Sequence, residues 1–169
     1  MEYMFRDLKA NEIDVRVATC SDKGVSLLLY KDARVDQDIL DETVGPMNWQ
    51  KHYSRDNANC IISIWDDTKK QWIDKEDTGT ESFTEKEKGL ASDSQKRSGF
   101  AWGIGRELYT SPFIWVGADK VNLTKKADGK PTTFDKFRVE AIEIKDKEIT
   151  GLAIKNQKNE RVFLYKKGN

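Results

Sequence analysis

The chain is poor in the residues that build metal sites and disulfide frameworks. Its 169 residues include two cysteines, Cys20 and Cys60, and a single histidine, His52. The cysteines form neither a CxxC pair nor a disulfide framework, and a zinc site would be short of ligands. We therefore expect both cysteines to pack as small side chains in a reduced compartment, and we expect no metal ion.

Long apolar runs are also missing. No run approaches the roughly 20 residues that span a bilayer, and the start from Met1 to Leu8 lacks the basic and apolar regions of a signal peptide. With only three prolines and a charged fraction of 34%, the composition argues against wholesale disorder. We expect one soluble globular domain of 169 residues in the cytoplasm, without membrane association.

The chain has no excess of either charge, since 29 Lys and Arg balance 29 Asp and Glu. A net charge of zero argues against a strongly basic nucleic-acid-binding protein. The charges are unevenly distributed, however: residues 1–119 carry 16 Lys and Arg against 22 Asp and Glu, whereas residues 120–169 carry 13 against 7. A local cationic surface is therefore compatible with overall neutrality.

Hydrophobic periodicity and turn residues predict two helices and several strands. One helix is predicted at 31–43, capped by Asp32 and ended by Val44-Gly45-Pro46, and another from Ser82 or Thr84 to about Ala101. Predicted strands, in chain order, are 13–18, 25–30, 49–55, 59–65, 71–78, 134–144, 149–155 and 161–165. The stretch 124–133, which is rich in charges and turn formers, is predicted to be a flexible connection.

The stretch 88–105 combines a helix of small residues with an adjacent basic pair, followed by Gly103-Ile104-Gly105. On a helix Ser92 and Lys96 share a face and Arg97 lies on its flank. We interpret this as a surface where small side chains let another backbone approach while the cations meet phosphates. Alternatively, the pair merely complements the dipole of a solvated helix end, which contributes about 0.3 to 1 kcal/mol.

Four motifs appear in a fixed order along the chain: Val44-Gly45-Pro46-Met47-Asn48-Trp49, Glu76-Asp77-Thr78-Gly79, Ala91-Ser92-Asp93-Ser94-Gln95-Lys96-Arg97, and Gly103-Ile104-Gly105-Arg106-Glu107-Leu108-Tyr109. Together they resemble the Rad-fifty-two family, most closely its phage and bacterial single-strand annealing members. The resemblance implies an α+β fold with a β-β-β-α annealing core, an antiparallel sheet packed on a long helix, at about 7–112. A connection at 113–133 and a C-terminal β-meander at 134–169 would follow.

The same resemblance implies a function in homologous recombination and DNA repair in a bacterial or phage-infected cell. The protein would bind single-stranded DNA and anneal it to its complement without ATP, as an oligomeric ring or arc with a basic DNA groove. It would not be an enzyme and would need no cofactor. Its partners would be the two strands and further copies of the chain, with a single-strand binding protein as a candidate.

Specific cations match the family's groove positions. The resemblance assigns DNA contact to Arg16, Lys23, Lys96 and Arg97, and a possible second, outer DNA site would use Lys51, Arg55 and Lys88. For Arg16 the alternative is a surface ion pair with Asp14 on the same side of the strand. Phe100 stands where eukaryotic members carry a further arginine, so it either stacks on a base or packs. Arg106 either pairs with a neighbour, supports a subunit interface or contacts DNA.

Other interpretations of these patterns stay open. A nuclease would use the carboxylates of Asp66, Asp67, Asp74, Glu76 and Asp77, but these fit a hairpin turn and a strand end without a convergent ligand set. The five tryptophans are candidates for stacking on bases, although aromatic residues on strands more often pack in the core or against another subunit. The principal alternative function is a structural or regulatory interaction module of the same fold with little annealing activity.

Overall fold

The computed structural model describes residues 4–80 and 86–168, which form an α+β structure with antiparallel sheets and two α-helices. In chain order the elements are β1 (Asp14–Ser21), β2 (Gly24–Tyr30), α1 (Ala33–Val44), β3 (Trp49–Ser54), β4 (Asn59–Asp66), β5 (Gln71–Thr78), α2 (Lys86–Ala101), β6 (Ile114–Gly117), β7 (Thr124–Lys125), β8 (Pro131–Thr132), β9 (Phe137–Lys145), β10 (Glu148–Asn156) and β11 (Arg161–Lys166). They group into two compact units, the first from 1–7 and 31–106 and the second from 8–30 and 107–169.

The first unit is a three-stranded antiparallel sheet with two helices. The strand order is β3-β4-β5, α2 packs on β4 and β5, and α1 packs on α2 and β3. Its apolar core is centred on β4, where Cys60, Ile62 and Ile64 are buried, together with Ile39 and Leu40 of α1. The elements β3, β4, β5 and α2 therefore follow one another as three strands and a helix.

Helix α1, predicted at 31–43, runs from Ala33 to Val44 and has the capping residue and the stop signal that its sequence predicts. The carboxylate of Asp32 accepts a hydrogen bond from the backbone N–H of Arg34 at 2.8 Å, which satisfies a free donor of the first turn. At the other end Gly45 has a φ of 86° and its N–H donates to the carbonyl of Asp41. A left-handed residue at this place favours glycine, and Pro46 prevents the helix from continuing.

The second unit is a six-stranded antiparallel sheet with the order β11-β10-β9-β1-β2-β6. Its two outer strands, β11 and β6, contact each other, so the sheet is nearly closed and barrel-like. Alternate residues fill its interior, among them Val25, Leu27, Ile114, Val116, Val139, Ile149, Leu152, Ile154 and Val162. Strands β7 and β8 form a separate two-stranded ribbon.

The predicted strands and the predicted helix at 31–43 are confirmed to within a few residues, and β9, β10 and β11 form the expected meander. The end of α2 at Ala101 is confirmed, whereas its predicted start lies outside the described residues. The pairing of Asp14 with Arg138 was not foreseen; it joins β1 to the meander, so residues 8–30 group with the C-terminal strands. The predicted connection 113–133 contains β6, β7 and β8.

Within the described ranges, none of the helices has the length and apolar character needed to cross a membrane. The predicted domain boundaries at 112 and 133 stay a prediction, and the two compact units divide the chain at other places.

Candidate nucleic-acid interface

Helix α2 uses its small residues to approach the sheet of its own unit. The hydroxyl of buried Ser98 donates to the carbonyl of Lys75 at 2.8 Å and accepts from the N–H of Ile62 at 3.2 Å. The hydroxyl of Ser94 donates to the carbonyl of Asn57 at 3.0 Å. The backbone that contacts these two serines therefore belongs to the protein itself. This corrects the interpretation that the small residues of the helix leave room for the backbone of another molecule.

A glycine of the second motif allows this close approach. A Cβ atom placed on Gly79 would lie 2.5 Å from the backbone nitrogen of Ser94 and 3.0 Å from the carbonyl oxygen of Leu90. Since both are backbone atoms of α2, no larger residue fits without displacing the helix. The spacing between Gly79 and Ser94 thus has a packing reason in this chain.

The basic pair lies on the outer side of α2. Lys96 and Arg97 are half-buried, while Ser94, Gln95 and Ser98 are buried. Neither cation falls in the last turn of the helix. Because the effect of the dipole fades beyond the last turn, the basic pair is poorly placed to complement the helix end.

Other cations bind the carbonyls at the C-terminus of α2. The guanidinium of Arg106 donates through Nη2 to the carbonyls of Phe100 at 2.7 Å and Ala101 at 3.1 Å. The ammonium of Lys75 donates to the carbonyl of Ala101 at 3.0 Å and lies 4.8 Å from the ring centroid of Trp102. Arg106 thus pairs with neighbouring backbone, which is one of the alternatives that its sequence context offers.

Arg97 and Lys96 differ in their surroundings. The Arg97 Nε donates to the Asp93 carboxylate at 3.0 Å, one helical turn away. Burial raises the pKa of Asp93, but the backbone N–H of Thr80 and the Arg97 side chain outweigh it and lower that pKa. Among the residues that the structure describes, none forms a hydrogen bond or an ion pair with the Lys96 ammonium.

The buried amide of Gln95 brings a third cation to the helix. Its Oε1 accepts hydrogen bonds from the Lys51 ammonium at 2.9 Å and the Tyr53 hydroxyl at 3.1 Å, and its Nε2 donates to the carbonyl of Ala33 at 3.0 Å. Gln95 is 2% exposed, so this network is fixed by packing. Lys51 of β3 is thereby held beside the residue that precedes Lys96 in the sequence.

Carboxylates of α1 share this electrostatic environment. Hydrogen bonds from Arg34 lower the pKa of Asp32 to about 2, with a smaller contribution from the charge of Lys96. Burial raises the pKa of Asp36 to about 6, against the opposing charges of Lys31 and Lys96. The Lys96 charge therefore interacts with the carboxylates of Asp32 and Asp36, although no described residue forms a hydrogen bond or ion pair with its ammonium.

Phe100 packs inside the first unit. The Lys31 ammonium lies 4.3 Å from the centroid of its ring and forms a buried ion pair with Asp36, with N–O distances of 2.5 and 2.7 Å. The side chains of the ion pair are 1% and 0% exposed. One side of the Phe100 ring is thus covered by a buried cation, which favours the packing role over base stacking.

The remaining predicted site residues lie in several places. Arg55 is exposed in the turn after β3 with a φ of 52°, and Lys88 lies in α2, where its side chain is outside the described part. Arg16 of β1 and Lys23 of the β1–β2 turn are exposed on the second unit. Among the described residues Arg16 has no ion pair with Asp14 or any other acid. The first unit thus contains Lys51, Lys96 and Arg97, whereas Arg16 and Lys23 belong to the other unit.

Two of the carboxylates considered for a nuclease site, Asp66 and Asp67, have local structural roles. Asp66 accepts hydrogen bonds from the N–H groups of Thr68 and Lys69 in the β4–β5 turn, and Asp67 pairs with Lys70 at 2.8 Å. In the ranges 4–80 and 86–168, no group of three or more His, Cys, Asp or Glu is arranged to hold a metal ion.

Sequence reasoning missed Gln95 and Asp93 as members of the site. Both stand in the third motif, and a glutamine among the buried small residues of a helix was the available signal. The fold and this site define an α+β protein whose helix α2 carries a basic pair. Comparison with known proteins finds no family model, no curated protein and no solved structure that matches the chain.

Proposed function

We propose that this chain is an ATP-independent annealing protein that binds single-stranded DNA and pairs it with its complement in homologous recombination and repair. The succession β3-β4-β5-α2 in one compact unit is the element order of the β-β-β-α annealing core that the sequence resemblance implies. This order supports the proposal, together with the positions of the cations on it.

One observation carries the proposal: in the first unit the buried amide of Gln95 holds Lys51 of β3 against helix α2, which also carries the basic pair Lys96 and Arg97. The first unit as a whole has 13 Lys and Arg against 17 Asp and Glu. Because the unit is acidic overall, this grouping of cations is a local feature and not a consequence of composition.

Such a surface suits annealing. Lysine and arginine bind phosphate oxygens without reading bases, so a strand held by its backbone can present its base edges to a complement. Each neutralised phosphate of a single strand contributes about 0.7 to the slope of log affinity against log salt. A site with a few such contacts gives modest affinity, which repetition around an oligomeric ring or arc multiplies.

The test is the annealing of complementary labelled oligonucleotides without ATP or metal, across a salt series. The variant Lys96→Ala, Arg97→Ala removes two cations from α2. A matched control, Lys69→Ala, Lys70→Ala, removes two cations from the β4–β5 turn of the same unit, where each pairs with an aspartate. We expect wild type and control to accelerate annealing and the α2 variant to lose that acceleration.

The salt dependence should identify the contacts. We expect the α2 variant to bind single strands with a slope smaller by about 1.4, and the control to keep the wild-type slope. Unchanged binding and slope in the α2 variant would refute the role of the basic pair. Well-folded wild type that neither binds nor anneals strands would instead favour an interaction module of this fold.

A further inference from the structure

The outer surface of the six-stranded sheet carries exposed apolar side chains. Leu28, Tyr30, Phe113 and Trp115 are 47%, 39%, 76% and 39% exposed. They share one side of the sheet, because Trp115 of β6 pairs with Ser26 of β2, and Leu28 and Tyr30 follow Ser26 at alternate positions. We call these four residues, together with Arg16, the aromatic face.

The two aromatic rings next to the sheet edge form an ordered pair. Phe113 and Trp115 stack at a centroid distance of 6.4 Å with an interplanar angle of 15°. The indole of Trp115 lies over Gly24, where a Cβ atom would come within 2.9 Å of its Cζ2 atom. The glycine thus makes room for the indole, and the rings remain exposed although the sheet interior beneath them is filled by Ile114 and Val116.

A cation, Arg16, lies on the same face. Arg16 of β1 is directly opposite Leu28 in the sheet, two strands from β6 and therefore about 10 Å from the aromatic row. Its guanidinium has no hydrogen bond or ion pair with any residue in the described ranges, although Asp14 lies on the same side of the strand. Fully available guanidinium donors beside exposed rings suit a ligand that has both phosphates and π-systems.

We propose that the aromatic face is a base-stacking site for single-stranded nucleic acid, in which bases stack on Phe113 and Trp115 and Arg16 neutralises a phosphate. This rests on the proposed function, because it assigns a second contact, on the other unit, to the same ligand. The position of Arg16 among exposed rings favours this occupant over a protein partner, and Asp14, opposite Tyr30, is an acid that shares the face. The second unit carries 16 Lys and Arg against 12 Asp and Glu, and the cation lies among the apolar residues rather than at a distant rim.

The test compares two probes by fluorescence anisotropy: labelled oligo-dT and a labelled abasic strand of equal length, which keeps the phosphates and lacks the bases. The variants are Phe113→Ala with Trp115→Ala, and Arg16→Ala. The control is Phe134→Ala, which removes an aromatic side chain of the same unit that is 79% exposed. Because Phe113 is 76% exposed, Phe113→Ala alone serves if the double variant is poorly folded.

Wild type and control should bind oligo-dT more tightly than the abasic strand. The aromatic double variant should lose at least about fivefold affinity for oligo-dT, keep its affinity for the abasic strand and keep the salt slope. Phe113→Ala alone should lose about threefold. Arg16→Ala should weaken binding of both probes and reduce the slope by about 0.7.

The outcomes separate this inference from the proposed function. If the aromatic variants bind both probes as wild type does, while loss of Lys96 and Arg97 still abolishes annealing, the aromatic face is not a base-stacking site and the annealing proposal stands. If wild type binds neither probe, both fail. A changed oligomeric state in light scattering with unaltered base preference would assign the face to protein contact and overturn the inference.

Discussion

The buried ion pair of Lys31 and Asp36 gives the sharpest prediction about stability. Both side chains are almost completely inaccessible, and the ammonium contacts both carboxylate oxygens at 2.5 and 2.7 Å. Removing one partner of a buried pair leaves a desolvated charge and costs about 3 to 5 kcal/mol. Since domains of this size are stable by about 5 to 15 kcal/mol, we expect Lys31→Met to remove a large part of the free energy of unfolding.

The loss should depend on pH in a defined direction. Burial raises the pKa of Asp36 to about 6 from an ordinary value of 3.8. Between these two pH values the folded chain therefore binds more protons than the unfolded chain. A raised pKa stabilises the fold at low pH, and that contribution disappears as the pH rises through the folded pKa. In Lys31→Met the opposing ammonium is gone, so the variant should be less stable at pH 8 than at pH 5.

The assay is guanidinium chloride unfolding followed by circular dichroism at pH 5 and pH 8. Asp36→Asn should also be strongly destabilised but should lack this loss between pH 5 and 8, because it has no carboxyl group at this position to titrate. The control is Arg34→Met, which removes the exposed ion pair with Asp32 and should cost at most about 1 kcal/mol. A cost below about 1 kcal/mol for Lys31→Met, or a loss independent of pH, would refute the reasoning.

Two further predictions concern packing and thiol reactivity. Gly105→Ala should lower the free energy of unfolding by more than about 1 kcal/mol. The reason is that Gly105 has a φ of 69° and that a Cβ atom there would lie 2.4 Å from Lys31 Cε. A thermal melt of the variant that matches wild type would contradict this prediction. Burial raises the pKa of the Cys60 thiol to about 11, so iodoacetamide at pH 8 should alkylate half-buried Cys20 and spare Cys60. Mass spectrometry checks this, and equal labelling of both cysteines in the folded protein would be inconsistent with it.

Most of the secondary structure could be predicted from sequence because its signals are local. Asp32 and the sequence Val44-Gly45-Pro46 mark the two ends of α1 by capping and by a left-handed glycine. The long-range pairing could not be predicted in this way. Asp14 and Arg138 pair across 123 intervening positions, and β6 has only four residues, so neither leaves a periodic pattern that a local window would detect.

The residues of the candidate site also differ in whether local sequence or long-range packing identifies them. Lys96 and Arg97 could be singled out because a motif of adjacent residues contains them, and the pairing of Arg97 with Asp93 follows from helical spacing. The contact of Lys51 with Gln95 joins residues 44 positions apart, and it exists only because β3 and α2 pack in the same unit. The sequence named Lys51, with Arg55 and Lys88, only as a residue of a possible second DNA site, whereas the fold holds it against α2 through Gln95. The salt slope of the α2 variant therefore tests the part of the site that the sequence singles out, Lys96 and Arg97, more directly than any count of basic residues.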